Sequence, residues 1–208
     1  MTQTLADFWS RLDDAVHPDD LATFEANDGH GFNLDFPPPA FIGDVVNAPL
    51  IILDNNGGFD AQLTPTEFPD EAAREEYRNL LANPRPLARS ARSIAPYYFN
   101  RNFSKWLEDG RAALVNGVAY RSVNGGAKHV ARLSRSLPSA LVHQQWLRDE
   151  LLPQVKDGER FVVVHRWSRW NNAADVFRGV HGSEFSTAPI SKDLTAAEMR
   201  AARQFLGE

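Results

Sequence analysis

The chain has 208 residues, a net charge of −5 and no cysteine, so disulfides and thiolate-held metals are excluded. An apolar fraction of 43% and a charged fraction of 24% describe an ordinary globular chain. Its longest apolar runs, such as Ala48–Leu53, are too short to span a bilayer. The first residues lack the basic start and apolar stretch of a signal peptide, so a cytoplasmic protein with no membrane partner is expected.

In chain order, Leu5, Phe8, Trp9, Leu12 and Val16 recur at helical spacing and predict a helix that stops at His17-Pro18. The turn-rich stretch Pro18–Ala40 reads as an extended wrap. Ala48–Leu53 is an unbroken apolar run, which suits a strand covered on both faces. Its polar tail, Asp54-Asn55-Asn56-Gly57-Gly58, suits a tight turn. A helix is expected around Pro69–Ala82, a second strand over Ala112–Val123, and a helix over Ser139–Leu152 ended by Pro153. Arg160–His165 reads as the third strand and Ala174–Val180 as the fourth. Thr195 and Glu198 form a capping box that opens the last helix.

Strands separated by helical segments predict an α/β fold: a three-layer α/β/α sandwich around a central, mainly parallel, four-stranded sheet. One domain is expected over residues 1–208. It would comprise a helix and wrap over 1–40, a core over 41–190 and a helix over 191–208. Ligands of open parallel sheets bind beyond the carboxyl ends of the strands. That rule singles out residues 54–60, 116–124, 167–170 and 181–186.

Each segment carries polar residues. Gly57 and Gly58 permit close backbone approach, and Asn56 offers an amide for a water or a carbonyl. An Asn-Gly turn accounts for the same residues. Asn116 lies inside an apolar strand, where its amide must be satisfied by neighbouring backbone or by a planar ligand. His181 is available for anion stabilisation or proton transfer, or for a structural role. The histidines show no metal-ligand spacing, and there is no P-loop, dinucleotide fingerprint or nucleophile elbow. Ten basic residues fall between Arg85 and Arg135, whereas the acids concentrate in the first 80 positions, so the pattern fits either a one-sided basic face or an ordinary solvated face.

Taken together, these segments resemble the uracil-DNA glycosylase superfamily, in a little-described bacterial branch. Ile51–Phe59 is similar to the family's first motif, whose loop bears a catalytic Asp or Asn. Ala113–Asn116 resembles the strand whose Asn reads the pyrimidine edge, and Arg160–Trp167 the next strand with its Trp-bearing end. His181–Ser186 resembles the motif whose His stabilises the departing base. The chain departs from the pattern at Gly57, Gly182 and Glu184, where prolines are usual or common.

The resemblance implies base excision from DNA, with Asn56 and His181 catalytic. Asn116, Phe59, Gly57, Gly58 and Ser183 would bind the substrate. It implies neither a metal nor an organic cofactor. The alternative is a non-catalytic protein that uses the same pocket for a nucleotide, a base or a protein partner.

Overall fold

The computed structural model describes residues 4–91, 96–125, 127–186 and 191–208. The first half of the chain forms helix α1 (Leu5–Trp9), α2 (Leu21–Glu25), strands β1 (Phe32–Asn33), β2 (Phe41–Gly43) and β3 (Leu50–Gly58), then α3 (Thr64–Glu67) and α4 (Glu71–Ala82). Next come α5 (Pro96–Phe99), α6 (Ser104–Glu108), β4 (Ala112–Ser122), α7 (Lys128–Leu133), α8 (Pro138–Trp146) and α9 (Leu152–Lys156). The chain continues with β5 (Phe161–Val164), β6 (Ser183–Phe185) and α10 (Ala196–Leu206).

The result is a mixed α/β architecture with a mainly parallel sheet and helices on both sides. Strands β4-β3-β5-β6 run parallel in that order. Among the described residues the sheet has six strands, two more than the sequence predicts. Both β1 and β2 pair antiparallel with β4, β2 along residues 113–115 and β1 along 121–122. Residues 50–53 of β3 and all of β5 are buried, as expected for strands covered on both faces. Each such Leu, Ile or Val contributes roughly 1.5–3 kcal/mol by leaving water. Nearly all of the buried apolar residues form one contiguous cluster.

Helices α4 and α10 begin with the expected caps. Asp70 accepts the N–H of Ala73, and Thr195 and Glu198 make a reciprocal capping box. Four sequence expectations are corrected. Helix α1 ends at Trp9 instead of His17, because Asp13 and Asp14 would place negative charge at the carboxyl end of a longer helix. Strand β3 does not turn at Asp54 but runs to Gly58, with a register shift between Asn56 and Gly58. Pro153 does not end its helix, since a π-helical stretch over Leu147–Leu151 carries the chain into α9. The fourth strand is not Ala174–Val180. Ala174–Phe177 is a 3-10 turn that buries Ala174 and Phe177 together, and the strand forms at Ser183–Phe185.

The segment before β1 is tied to the sheet through buried polar groups. Tyr120 on β4 donates its hydroxyl to Asp20 at 2.6 Å, and Asp20 also accepts the N–H of Ser139. Trp9 donates its indole N–H to His143 Nε2. His143 therefore carries its proton on Nδ1 and donates to the Asn116 carbonyl at 2.7 Å. Burial, against that one carbonyl, pushes the His143 pKa down to about 4, which keeps the ring neutral.

Candidate functional site at the carboxyl edge of the sheet

The chain leaves β3 for β4 on one side and leaves β5 for β6 on the other. The connections therefore diverge between β3 and β5, and a crevice forms where strand order reverses. Asp54, Asn55 and Asn56 from β3 and His165, Arg166 and Trp167 after β5 lie at this edge.

Three loops are stitched together over it. The N–H of Arg169 donates to Asn55 Oδ1 at 3.1 Å, and its Nε donates to the Gly125 carbonyl at 2.7 Å. Trp170 is fully buried and donates its indole N–H to the Asp54 carbonyl at 2.7 Å. Trp167 remains exposed. From Gly110 to Arg148 the chain has no Asp or Glu, and Lys128, Arg132 and Arg135 of that run are exposed, Arg135 Nε reaching Asn171 Oδ1 at 3.4 Å.

The residues singled out from the sequence divide into three groups. Asn56 is at the carboxyl edge, half-buried. It donates to the Gly57 carbonyl and to Ser122 Oγ, at 2.9 and 2.8 Å, so both amide protons are engaged and Oδ1 faces Gly125. Phe59 lies just beyond β3 with its ring 6.5 Å from that of Phe36, and Gly58 is exposed with its carbonyl bonded to Arg121. Asn116 is buried further down β4, and its amide donates to the Pro39 carbonyl at 2.6 Å, the neighbouring-backbone solution.

His181 and Ser183 are at the other end of the sheet. Ser183 is level with Val162 and, through it, with Ile51. Counting along the strands at ~3.3 Å per residue separates His181 from Asn56 by roughly 20 Å. The Ser183 hydroxyl donates to the carbonyls of Phe177 and Val180 and holds the local turn. Asn56, Asn116 and His181 are thus not gathered around one cavity. The shift of the fourth strand to residues 183–185 is the reason: it places His181 before a parallel strand instead of after it.

Gly57 has a packing reason. A Cβ there would sit 2.2 Å from Pro39 Cγ, so only glycine lets β3 pass under the Pro39 segment. Gly57→Ala is expected to destabilise the chain by about 1–3 kcal/mol, the usual cost of overpacking. A urea melt would show it, and an unchanged midpoint would contradict the close packing.

Other charged residues gather where sequence reasoning assigned no role. Arg166 Nε is 3.3 Å from Asp54 Oδ1, and Asp54 also accepts the N–H of Asn55 at 2.7 Å. Arg101 stacks on Tyr97, its guanidinium carbon 4.3 Å from the ring centre. His165 is clamped between Glu198 Oε1 and the Ser191 carbonyl, each at 2.9 Å. The sequence signal for these was weak, since arginines and tyrosines far apart in the chain have no periodicity. Among the described residues, no group of three or more His, Asp and Glu could hold a metal ion. Nor is any helix long and apolar enough to cross a membrane.

Both ring nitrogens of His165 face acceptors, which requires the doubly protonated form. Burial opposes this charge, but the bond to Glu198 and its negative charge outweigh it, and the His165 pKa lies above its ordinary 6.5. For Glu198, burial is again opposed by His165 and by the Thr195 N–H, and its pKa lies below 4.5. The His165 contribution to stability is complete below pH 6.5 and is lost as pH rises through its raised folded value. The Glu198 contribution is complete above pH 4.5 and is lost as pH falls through its lowered one. The docking of α10 is therefore expected to be firmest between about pH 4.5 and 6.5, and His165→Gln should flatten the decline on the alkaline side. Thermal melts from pH 4 to 9 would check this; parallel curves for the two proteins would reject it.

No family model, curated protein or solved structure matches this chain.

Proposed function

We propose that the chain is a uracil-DNA-glycosylase-like protein that binds a nucleobase-bearing ligand, a nucleotide or a base within DNA, at the carboxyl edge of its sheet, without excising it. The observation that carries this reading is the run of Asp54, Asn55 and Asn56 along the end of β3 at the strand-order reversal, beneath Arg169 and beside the acid-free basic run. Carboxylate and amide groups together offer acceptors and donors for the edge of a planar base. The exposed rings of Tyr97 and Trp167 offer faces for stacking. The surrounding arginines and lysines suit phosphate. Binding without excision is preferred because His181 lies at the far end of the sheet and His165 is held by Glu198. A departing base anion then has no free imidazole beside it.

The test is fluorescence titration of the full chain with uridine, uridine monophosphate and a uracil-containing oligonucleotide. Incubation of the oligonucleotide followed by alkaline cleavage would report excision. Binding without abasic product is expected, and Asn56→Ala should weaken binding about tenfold, the loss of the one hydrogen bond that Asn56 Oδ1 can accept. Absence of binding to all three probes would defeat the proposal.

Excision is a second reading, favoured by one observation. Asp54 presents a carboxylate at this crevice, oriented by Arg166 and the Asn55 N–H. Unlike an amide, a carboxylate accepts a proton from an attacking water. On that reading Asp54→Asn abolishes release of uracil, hypoxanthine or a mismatched base, and an unchanged rate rejects it.

A further inference from the structure

Two arginines reach the carboxyl edge from different parts of the chain, and each has an open donor. Arg101 follows α5; its side chain is only 5% exposed. Its Nε donates to the Tyr97 carbonyl at 2.8 Å and its guanidinium lies over the Tyr97 ring. Its Nη1 is buried and makes no hydrogen bond among the described residues. The carboxylate nearest to it, Asp193 Oδ1, is 3.6 Å away and already accepts the N–H of Asn102 at 3.0 Å. A buried donor left unmade costs roughly 1–3 kcal/mol, more for a charged group, so the fold retains it at a penalty.

Arg166, after β5, uses Nε and Nη2 on the Ser191 carbonyl and faces Asp54 through Nε. Its Nη1 makes no hydrogen bond among the described residues. Asp193, which faces Arg101, donates its N–H to Ser191 Oγ at 3.1 Å, and the Ser191 carbonyl accepts from Arg166, so the two guanidinium groups flank the same 191–193 turn. Two guanidinium groups balanced by two otherwise engaged carboxylates make a neutral site with unsatisfied N–H groups. That arrangement favours an incoming oxyanion that supplies acceptors on several sides at once.

We infer that Arg101 and Arg166, set about the 191–193 turn, form a seat for a phosphate group carried by the ligand of the carboxyl edge. The inference rests on the nucleobase-binding reading above and adds the ligand class: a nucleoside monophosphate, or a strand ending in a phosphate. The exposed Tyr97 ring swings off the guanidinium as the phosphate enters, and phosphate oxygens accept from Arg101 Nη1 and Arg166 Nη1.

The full chain is titrated with inorganic phosphate, uridine, uridine monophosphate, and an oligonucleotide with and without a 5′-phosphate. Tryptophan fluorescence and thermal shift are the readouts, since a ligand of the native state raises the melting temperature. The monophosphate is expected to bind at least tenfold tighter than uridine, and phosphate alone to protect. Arg101→Met should erase the tenfold preference. If Arg101→Met does not fold, as circular dichroism would show, the half-buried Arg166→Gln decides in its place. A preference for the phosphorylated oligonucleotide over the monophosphate supports the seat and assigns the strand end as its source.

Equal affinity for uridine and its monophosphate overturns the inference, as does a preference that survives both substitutions. Protection by phosphate that depends on Arg101, without binding of any nucleobase probe, defeats the nucleobase reading and leaves the seat standing.

Discussion

Trp170→Ala is expected to destabilise the chain by about 3–5 kcal/mol, the cost of removing a large buried aromatic. The indole is fully buried and packs over Gly117, where a Cβ would approach its ring to 3.1 Å. Removing it leaves a cavity against β4 and takes the hydrogen bond from the Asp54 carbonyl. The neighbouring Arg169 then loses the anchor that positions its contacts to Asn55 and Gly125. Ligand binding at the carboxyl edge should therefore weaken together with stability. Trp170→Phe keeps most of the volume and forfeits the hydrogen bond, so about 1–3 kcal/mol is expected. Denaturant titration of both variants is the measurement. A loss under ~1 kcal/mol for the alanine variant would show that the indole does not brace this edge.

A second large effect is expected behind β3. Glu67 and Arg121 pair at 2.9 Å with both side chains almost wholly buried, and Arg121 also bonds the Gly58 carbonyl. Burial pushes the Glu67 carboxyl up, against the opposing charge of Arg121. Arg121→Met leaves that carboxylate without its partner and should cost about 3–5 kcal/mol near neutral pH. The sign with pH follows from the raised folded pKa. Below 4.5 the carboxyl is protonated in both the folded and unfolded chains, so the penalty is smallest there; it grows as pH rises toward the folded value. Replacing both residues, Glu67→Leu with Arg121→Met, should recover most of the loss, because no charge remains buried. Urea titrations at pH 4 and 7 test this, and a single variant equally destabilised at both would contradict it.

The carboxyl edge was partly legible before any coordinates. The unalternated run Ala48–Leu53 located the body of β3, while its polar tail, read as a turn, belongs to the strand and carries Asn56 to that edge. The basic bias of the middle of the chain became the exposed Lys128, Arg132 and Arg135. Asp54 stood in the same tail, yet nothing local distinguished it from a turn residue. Its partner Arg166 is more than a hundred positions away. Arg101 and Tyr97 reach the site through a short helix of four residues, too brief to leave a periodic trace. The 174–180 segment misled because Val176, Phe177 and Val180 are residue types that favour a strand. The buried spacing of Ala174 and Phe177 also fits one tight helical turn, and that turn is what forms.

Local chemistry is sufficient for β3, β4, β5, α4 and the capped α10, since apolar runs, periodicity and caps act between residues a few positions apart. Which side chains meet was decided by tertiary structure. Parallel register sent His181 to the amino edge, and strand order opened the crevice between β3 and β5. Burial turned Asn116 toward the Pro39 carbonyl and left a donor on Arg101 open. Register and burial are set by packing across the whole sheet, where a two-residue displacement of one strand moves a side chain by ~7 Å.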